Sequence, residues 1–272
     1  MIPPLRPKEQ YDFMKSKEEP SCILSNMISQ KDLKYIYDVW KNTHEEREFV
    51  AGRTGKTKDH KKNKGNVRFP YEWSEFSHIL EPIVDEILKS KKWKLISGRL
   101  YWVPEGRVWS TIHTDNWNYL DKNFSDGAPT NNGPKLINWL QEGKCKIYVP
   151  RKTIIMPLWI KGAASTVLFN QYNYGVESCG WRKFKHRKEF PGAYVDYTEY
   201  LEPLDRDSIN EEDYNKYLQH IPKEELRGLS VQNAYDWEVG DIVVWDSTQL
   251  HVSGYQPETT EKVGITIWTA YS

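Results

Sequence analysis

Apolar positions recur along the chain with two different periods, and the change between them divides it. Ahead of residue 94 the period is helical. Ser29, with Asp32 three residues on, resembles a capping box, and Leu33, Ile36, Tyr37 and Trp40 follow at spacings of three and four. A second periodic stretch covers residues 73–93, with Phe76, Ile79, Leu80, Ile83, Val84 and Ile87 on one face. Between the two, GRTGKTKDHKKNKGN is too polar and glycine-rich to pack and reads as a loop.

From Lys94 the segments become short, extended and rich in β-branched and aromatic residues. LISGRLYWV, RVWSTIHTD, CKIYV, TIIMPLWI, STVLFNQY, GDIVVWD and VGITIWTAY are separated by turn signals such as Pro104-Glu105-Gly106, Asn132-Gly133-Pro134 and Val239-Gly240-Asp241. Many short strands in succession predict a sandwich or barrel, not a βαβ sheet. Residues 173–236 break the series. They open with the basic run WRKFKHRK and pass into the acidic DYTEYLEPLDRDSINEED, with a short helix over 210–220. So long an excursion inside a β domain is either a functional lid or a solvated surface insertion. No repeat of 20–50 residues recurs, which excludes solenoids and propellers. The expectation is a single domain, 1–272, mainly β with a helical N-terminal part, 1–93. The β core, 94–272, carries the insertion at about 173–236.

Composition narrows the function classes. The 272 residues hold 38 Lys+Arg against 38 Asp+Glu, a formal charge of zero, which argues against the uniformly basic surface of a general nucleic-acid binder. Local basic patches remain, at 53–68 and 182–188. Twelve Trp, 17 Tyr and 8 Phe argue against disorder. Three cysteines without a CxxC pair fit neither a disulfide framework nor a zinc ribbon, and point to a reducing cytoplasm. The opening MIPPLRPKEQYDF lacks the apolar run of a signal peptide, and no stretch approaches the 18 apolar residues of a membrane span.

GRTGKT at 52–57 invites a phosphate-loop reading and fails it. That motif needs a glycine where this chain has Val50, together with a preceding strand and a following helix. Metal ligation is the better question. His113-Thr114-Asp115 is the one His-x-Asp in the chain, and VWSTIHTD reads as a strand ending at Asp115. On an extended strand residues i and i+2 point to one side, so both side chains reach one ion. Adding a distant histidine gives the facial triad of non-haem Fe(II) oxygenases, with three coordination positions left open. His44-Glu45-Glu46 has a similar pattern but closes a helix, where residues two apart diverge by roughly 200°. His60 lies in the basic loop, His78 in the second helix, His186 in the basic run and His220 before a proline. His251, closing the strand-like GDIVVWDSTQLH, is the candidate third ligand.

With HTD, a long gap and then GDIVVWDSTQLHVSGYQPETTEKVGITIW, the sequence resembles the iron- and 2-oxoglutarate-dependent oxygenases, in their phytanoyl-CoA dioxygenase-like branch. Ser253 and Gly254 follow the distal His251, Gln256 stands where Asn is usual, and Lys262 falls eleven residues after His251. The resemblance covers mainly 96–115 and 238–269. It implies a double-stranded β-helix (jelly-roll, cupin-like) core. It further implies Fe(II) bound by His113, Asp115 and His251, and 2-oxoglutarate paired with Lys262. The implied reaction is O2-dependent hydroxylation of a C–H bond in a small molecule, with release of succinate and CO2. Two positions depart from the usual pattern. Lysine replaces the more frequent arginine, offering a point charge in place of a bidentate fork. Gly264 stands where many relatives carry a hydroxyl, so Thr111, Trp109 and Tyr101 are the candidates for further cosubstrate contacts.

Two rivals stand beside this reading: a non-catalytic jelly-roll binding or structural protein, and a cupin-type metal enzyme that does not use 2-oxoglutarate. The run Trp181 to Lys188 also admits several roles. It could be a lid over an anionic small molecule, a grip on nucleic acid, or one half of an insertion whose basic and acidic parts neutralise each other.

Overall fold

A computed structural model of the chain describes residues 8–43, 73–103, 105, 112–115, 148–174 and 209–272. The basic loop, GRTGKT, His44-Glu45-Glu46, Trp109, Thr111 and the basic run at 181–188 lie outside the described residues.

Helices α1 (Lys8–Lys15), α2 (Gln30–Thr43) and α3 (Trp73–Leu88) precede all the strands except a short one, Cys22–Leu24, that lies between α1 and α2. The Ser29 hydroxyl accepts from the Asp32 amide at 3.1 Å and donates to its carboxylate, so the cap read from the sequence starts α2. Helix α3 stops at Leu88, short of Trp93. That indole instead opens the first long strand and donates to Asp85 at 2.7 Å.

Among the described residues the strands are β1 (Cys22–Leu24), β2 (Trp93–Val103), β3 (Pro150–Lys161), β4 (Ser165–Tyr172), β5 (Val231–Asp236), β6 (Ile242–Asp246), β7 (Gln249–Ser253) and β8 (Glu261–Tyr271). One antiparallel sheet has the order β1-β6-β3-β8-β2, the other β5-β4-β7. His113 extends the second sheet through a bridge to His251.

The two sheets face each other, and alternation sorts every strand into an outer and an inner set. Outer residues of the five-stranded sheet, among them Ile154, Met156, Val244, Ile265 and Ile267, pack on Leu33, Ile36, Phe76, Leu80 and Val84 of α2 and α3. Outer residues of the other sheet, Val167, Phe169, Leu250 and Val252, are covered by Leu218, Ile221, Leu226 and Leu229. Leu218 ends a π-helical turn (Tyr214–Leu218) that continues helical turn α4 (Glu211–Asp213), Leu226 ends helix α5 (Lys223–Leu226), and Ile221 and Leu229 each follow shortly after. Between the sheets lie Ile155, Leu168, Val243 and Trp245, together with most of the buried polar groups discussed below.

Two boundaries differ from the pattern. GDIVVWDSTQLH is not one strand: a turn at Ser247-Thr248 splits it, placing β6 and β7 in opposite sheets. The expected excursion 173–236 also contains β5, which pairs with β4 from Ser165↔Asp236 to Phe169↔Val231. VQNAYD is a half-buried edge strand without a clean apolar alternation, so its period carries no signal.

Candidate metal and anion site

The split at Ser247-Thr248 builds the site. It returns the chain across the mouth of the barrel, so β7 runs beside the segment carrying His113 and Asp115. The His113 amide donates to the His251 carbonyl at 3.0 Å and the His251 amide donates back at 2.9 Å. Such a doubly bonded pair sets two residues directly opposite with side chains on one face. The imidazoles therefore meet, with centroids 4.4 Å apart. Asp115 is anchored by its own amide, which donates to the Ser247 carbonyl at 3.0 Å.

Ligand atoms of His113, Asp115 and His251 all lie within 4.8 Å of one another. Atoms about 2.1 Å from a common transition metal sit roughly 3–4 Å apart, and His251 Nε2 and Asp115 Oδ2, 3.5 Å apart, match that spacing. The tautomer of His251 supports this. Its Nδ1 is 3.1 Å from the Gln249 carbonyl, which can only accept, so Nδ1 carries the hydrogen and Nε2 the lone pair. Burial pushes this imidazole down to about 4, so it is neutral. Nε2 then faces Asp115 Oδ2 at 3.5 Å, two acceptors opposed in a buried space. A cation between them turns that opposition into coordination. The Asp115 carboxylate also accepts from the Thr153 hydroxyl at 2.9 Å.

Of the other described histidines, His78 is exposed on α3, and His220 packs near Tyr255, its ring centroid 6.1 Å away. Neither joins the cluster.

Lys262 is the second unusual feature. Its residue is 1% exposed, and its Nζ has no hydrogen-bond partner among the described residues. Burial pulls its ammonium down to about 7 from 10.5. The compensation on view is the face of Trp237, 4.2 Å from Nζ to ring centroid, itself fixed by its indole N–H donating to Thr166 at 2.9 Å. An unpaired buried ammonium costs several kcal/mol at the order-of-magnitude level, and a bound carboxylate offsets it.

Gly264 now has an explanation. It pairs with Tyr101 across β8 and β2, and a Cβ there would lie 3.2 Å from the Tyr101 hydroxyl. The tyrosine hydroxyl thus fills the place that a side chain at 264 would take. Tyr101 hydrogen-bonds Thr266 and packs edge-on to Trp237, and burial raises its phenol. Lys262 and Tyr101 both meet Trp237, and Tyr101 joins Thr266 to the same cluster. Trp237 and Thr166 carried no signal in the sequence because they reach Lys262 from the opposite sheet. Thr153 announces itself only as the polar residue that opens the apolar segment TIIMPLWI.

No protein-family model and no curated protein matches the sequence. Solved structures do match in shape. One is the epimerase SnoN from nogalamycin biosynthesis, in complex with Fe3+, alpha ketoglutarate and nogalamycin RO. It is 8% identical over 98% of this chain and 85% of that one, with a TM-score of 0.50. Another is EctD from S. alaskensis with 2-oxoglutarate and 5-hydroxyectoine. It is 9% identical over 100% of this chain and 78% of that one, also at 0.50. The fold is a double-stranded β-helix. At such identities the likeness is one of fold, and the chemistry of this chain rests on its own residues. No described helix is long and apolar enough to cross a membrane.

Proposed function

We propose that the protein is a non-haem Fe(II)- and 2-oxoglutarate-dependent dioxygenase that hydroxylates a C–H bond of a small molecule with release of succinate and CO2. The observation that carries this reading is a pairing. Opposed acceptors at His251 and Asp115 call for a cation, and the same inner surface holds a buried ammonium that calls for an anion. 2-Oxoglutarate is a ligand that meets both demands, chelating the metal at one end and presenting a carboxylate at the other. A jelly-roll module without catalysis, or a cupin that uses no oxoacid, has no need of an unpaired lysine at that depth.

His113, Asp115 and His251 would hold Fe(II), and Lys262 would take the far carboxylate. Bound Fe(II) supplies oxidative decarboxylation of the oxoacid and activation of O2. The chain's own part is to bind, orient and keep the reaction dry. His251 presents Nε2 because Gln249 holds Nδ1. Lys262 keeps its proton at Nζ once a carboxylate arrives, and the Tyr101 and Thr266 hydroxyls stand beside it as further donors. Trp245, its ring centroid 4.9 Å from that of His251, helps to exclude water from the interior. The run from His251 to Lys262 supports the phytanoyl-CoA dioxygenase-like branch. Cysteine usage supports a cytoplasmic setting. An anionic small molecule is the substrate class that the basic run at 182–188 favours.

The reading is tested by anaerobic calorimetry of purified protein, adding Fe(II) and then 2-oxoglutarate, followed by succinate assay in air across a metabolite panel. One equivalent of each binding, with succinate released in step with one metabolite, supports it. Binding of neither is the result against it.

A further inference from the structure

Asp115 lies at a bend two residues beyond His113, which bridges to β7, a weak place to hold a ligand still. Two buried hydroxyls correct this. Thr153 of β3 and Ser247 of the β6–β7 turn are both fully buried. Thr153 Oγ1 is 2.9 Å from Asp115 Oδ2 and 2.9 Å from Ser247 Oγ. The direction of these bonds follows from counting protons. A carboxylate accepts only, so Thr153 gives its one hydroxyl proton to Asp115. Its oxygen must then accept, so Ser247 donates to Thr153. The chain Ser247 to Thr153 to Asp115 is ordered, and each bond polarises the next.

Ser247 holds Asp115 a second time, because its carbonyl receives the Asp115 amide at 3.0 Å. Asp115 is thus held at its carboxylate by Thr153 and at its backbone amide by Ser247, residues of two other segments. Thr153 has little freedom to swing: it is β-branched, and its register partners on β6 and β8 are Trp245 and Trp268. Its neighbour on the same face, Ile155, is apolar. A valine would fill the volume of Thr153 without placing a hydroxyl in a dry interior.

We propose that Thr153, backed by Ser247, is a positioning residue that fixes the plane of the Asp115 carboxylate toward His113 and His251 and so sets the affinity for the divalent ion. The inference rests on the metal-site reading above, and the test separates the two.

Co(II) is titrated anaerobically into the full-length protein and followed by calorimetry and by its visible absorption, with no turnover required. Wild type binds one equivalent and Asp115→Ala does not. Thr153→Val loses about tenfold to hundredfold in affinity, the usual effect of removing a partner one shell out from a metal. Thr153→Ser, which keeps the hydroxyl, stays within a few-fold of wild type. Metal-free Thr153→Val melts close to wild type, which separates positioning from packing. Wild-type affinity in Thr153→Val overturns the positioning role and leaves the metal site intact. Failure of wild type to bind Co(II) overturns the metal reading, and this inference with it. Should Thr153→Val not fold, Ser247→Ala carries the test: a severalfold loss supports the relay, and unchanged affinity overturns it.

Discussion

Strand β8 is buried along both faces, and its two faces have opposite characters. Val263, Ile265 and Ile267 point outward into the helical layer, where every neighbour is apolar. Lys262, Gly264 and Thr266 point inward: a lysine with no hydrogen-bond partner among the described residues, a glycine whose space belongs to a tyrosine from β2, and a threonine hydroxyl. Burial alone does not distinguish them. The outer face gains free energy from each group taken out of water, whereas the inner face spends some to keep a charge and hydroxyls dry. A fold retains such groups when something else completes them, and that asymmetry locates the site without any bound molecule.

The contrast can be broken from either side. The largest effect should come from Asp115→Ala, which drops succinate formation below detection while leaving thermal melting of the metal-free protein near wild type. On the outer face, Ile265→Ala should cost about 2–5 kcal/mol in denaturant unfolding. The ratio of succinate formed to folded protein should hold. Lys262→Met should behave in the opposite way. Stability at neutral pH stays level or rises, because an uncompensated charge is removed. Affinity for 2-oxoglutarate by calorimetry falls roughly tenfold to hundredfold, the worth of one charged hydrogen bond.

Acidity sharpens the comparison further. Lys262 titrates near 7 in the empty fold against 10.5 ordinarily, so the folded state binds fewer protons than the unfolded one between those values. Stability of the empty protein therefore rises with pH across that window and falls again as pH drops toward 7. A carboxylate ligand needs the charged form, so 2-oxoglutarate binding takes up a proton above pH 7 and weakens as pH rises. Calorimetry in buffers of different ionisation enthalpy measures that uptake. Lys262→Arg, charged throughout, should bind with a flat profile. The smallest effect belongs to Gly264→Ala. Its methyl meets both the Tyr101 hydroxyl and the Met156 carbonyl at 3.2 Å, which should cost about 1 kcal/mol through overpacking. Displacing that hydroxyl should weaken 2-oxoglutarate by a few-fold in the same titration.

The outer face was largely legible in the sequence, because packing leaves a period. STVLFNQY coincides with β4 residue for residue, and the α2 cap and both apolar helix faces read directly. The gathering of His113, Asp115 and His251 was legible because a His-x-Asp pair on an extended segment fixes its own geometry. The anion pocket was only half legible. Lys262, eleven residues after His251, was named only through the family resemblance. The Trp237 face beneath it and the Tyr101 hydroxyl at Gly264 depend on strand register and on the opposite sheet. Local sequence does not encode either one. The turn at Ser247-Thr248 was hidden for a related reason: no glycine or proline marks it, and tertiary pairing decides where the strand ends. The uneventful edge strand β5 left no pattern at all.

The central claim is that one inner surface joins a metal triad to an anion-seeking lysine. Its most direct test is an anaerobic titration of Fe(II)-loaded protein with 2-oxoglutarate, read by visible absorption. The account predicts a weak charge-transfer band at about 500 nm that saturates at one equivalent. It should be absent in Asp115→Ala and need more ligand in Lys262→Met. A spectrum that stays flat with wild-type protein, or a band whose titration is the same in Lys262→Met, would contradict it.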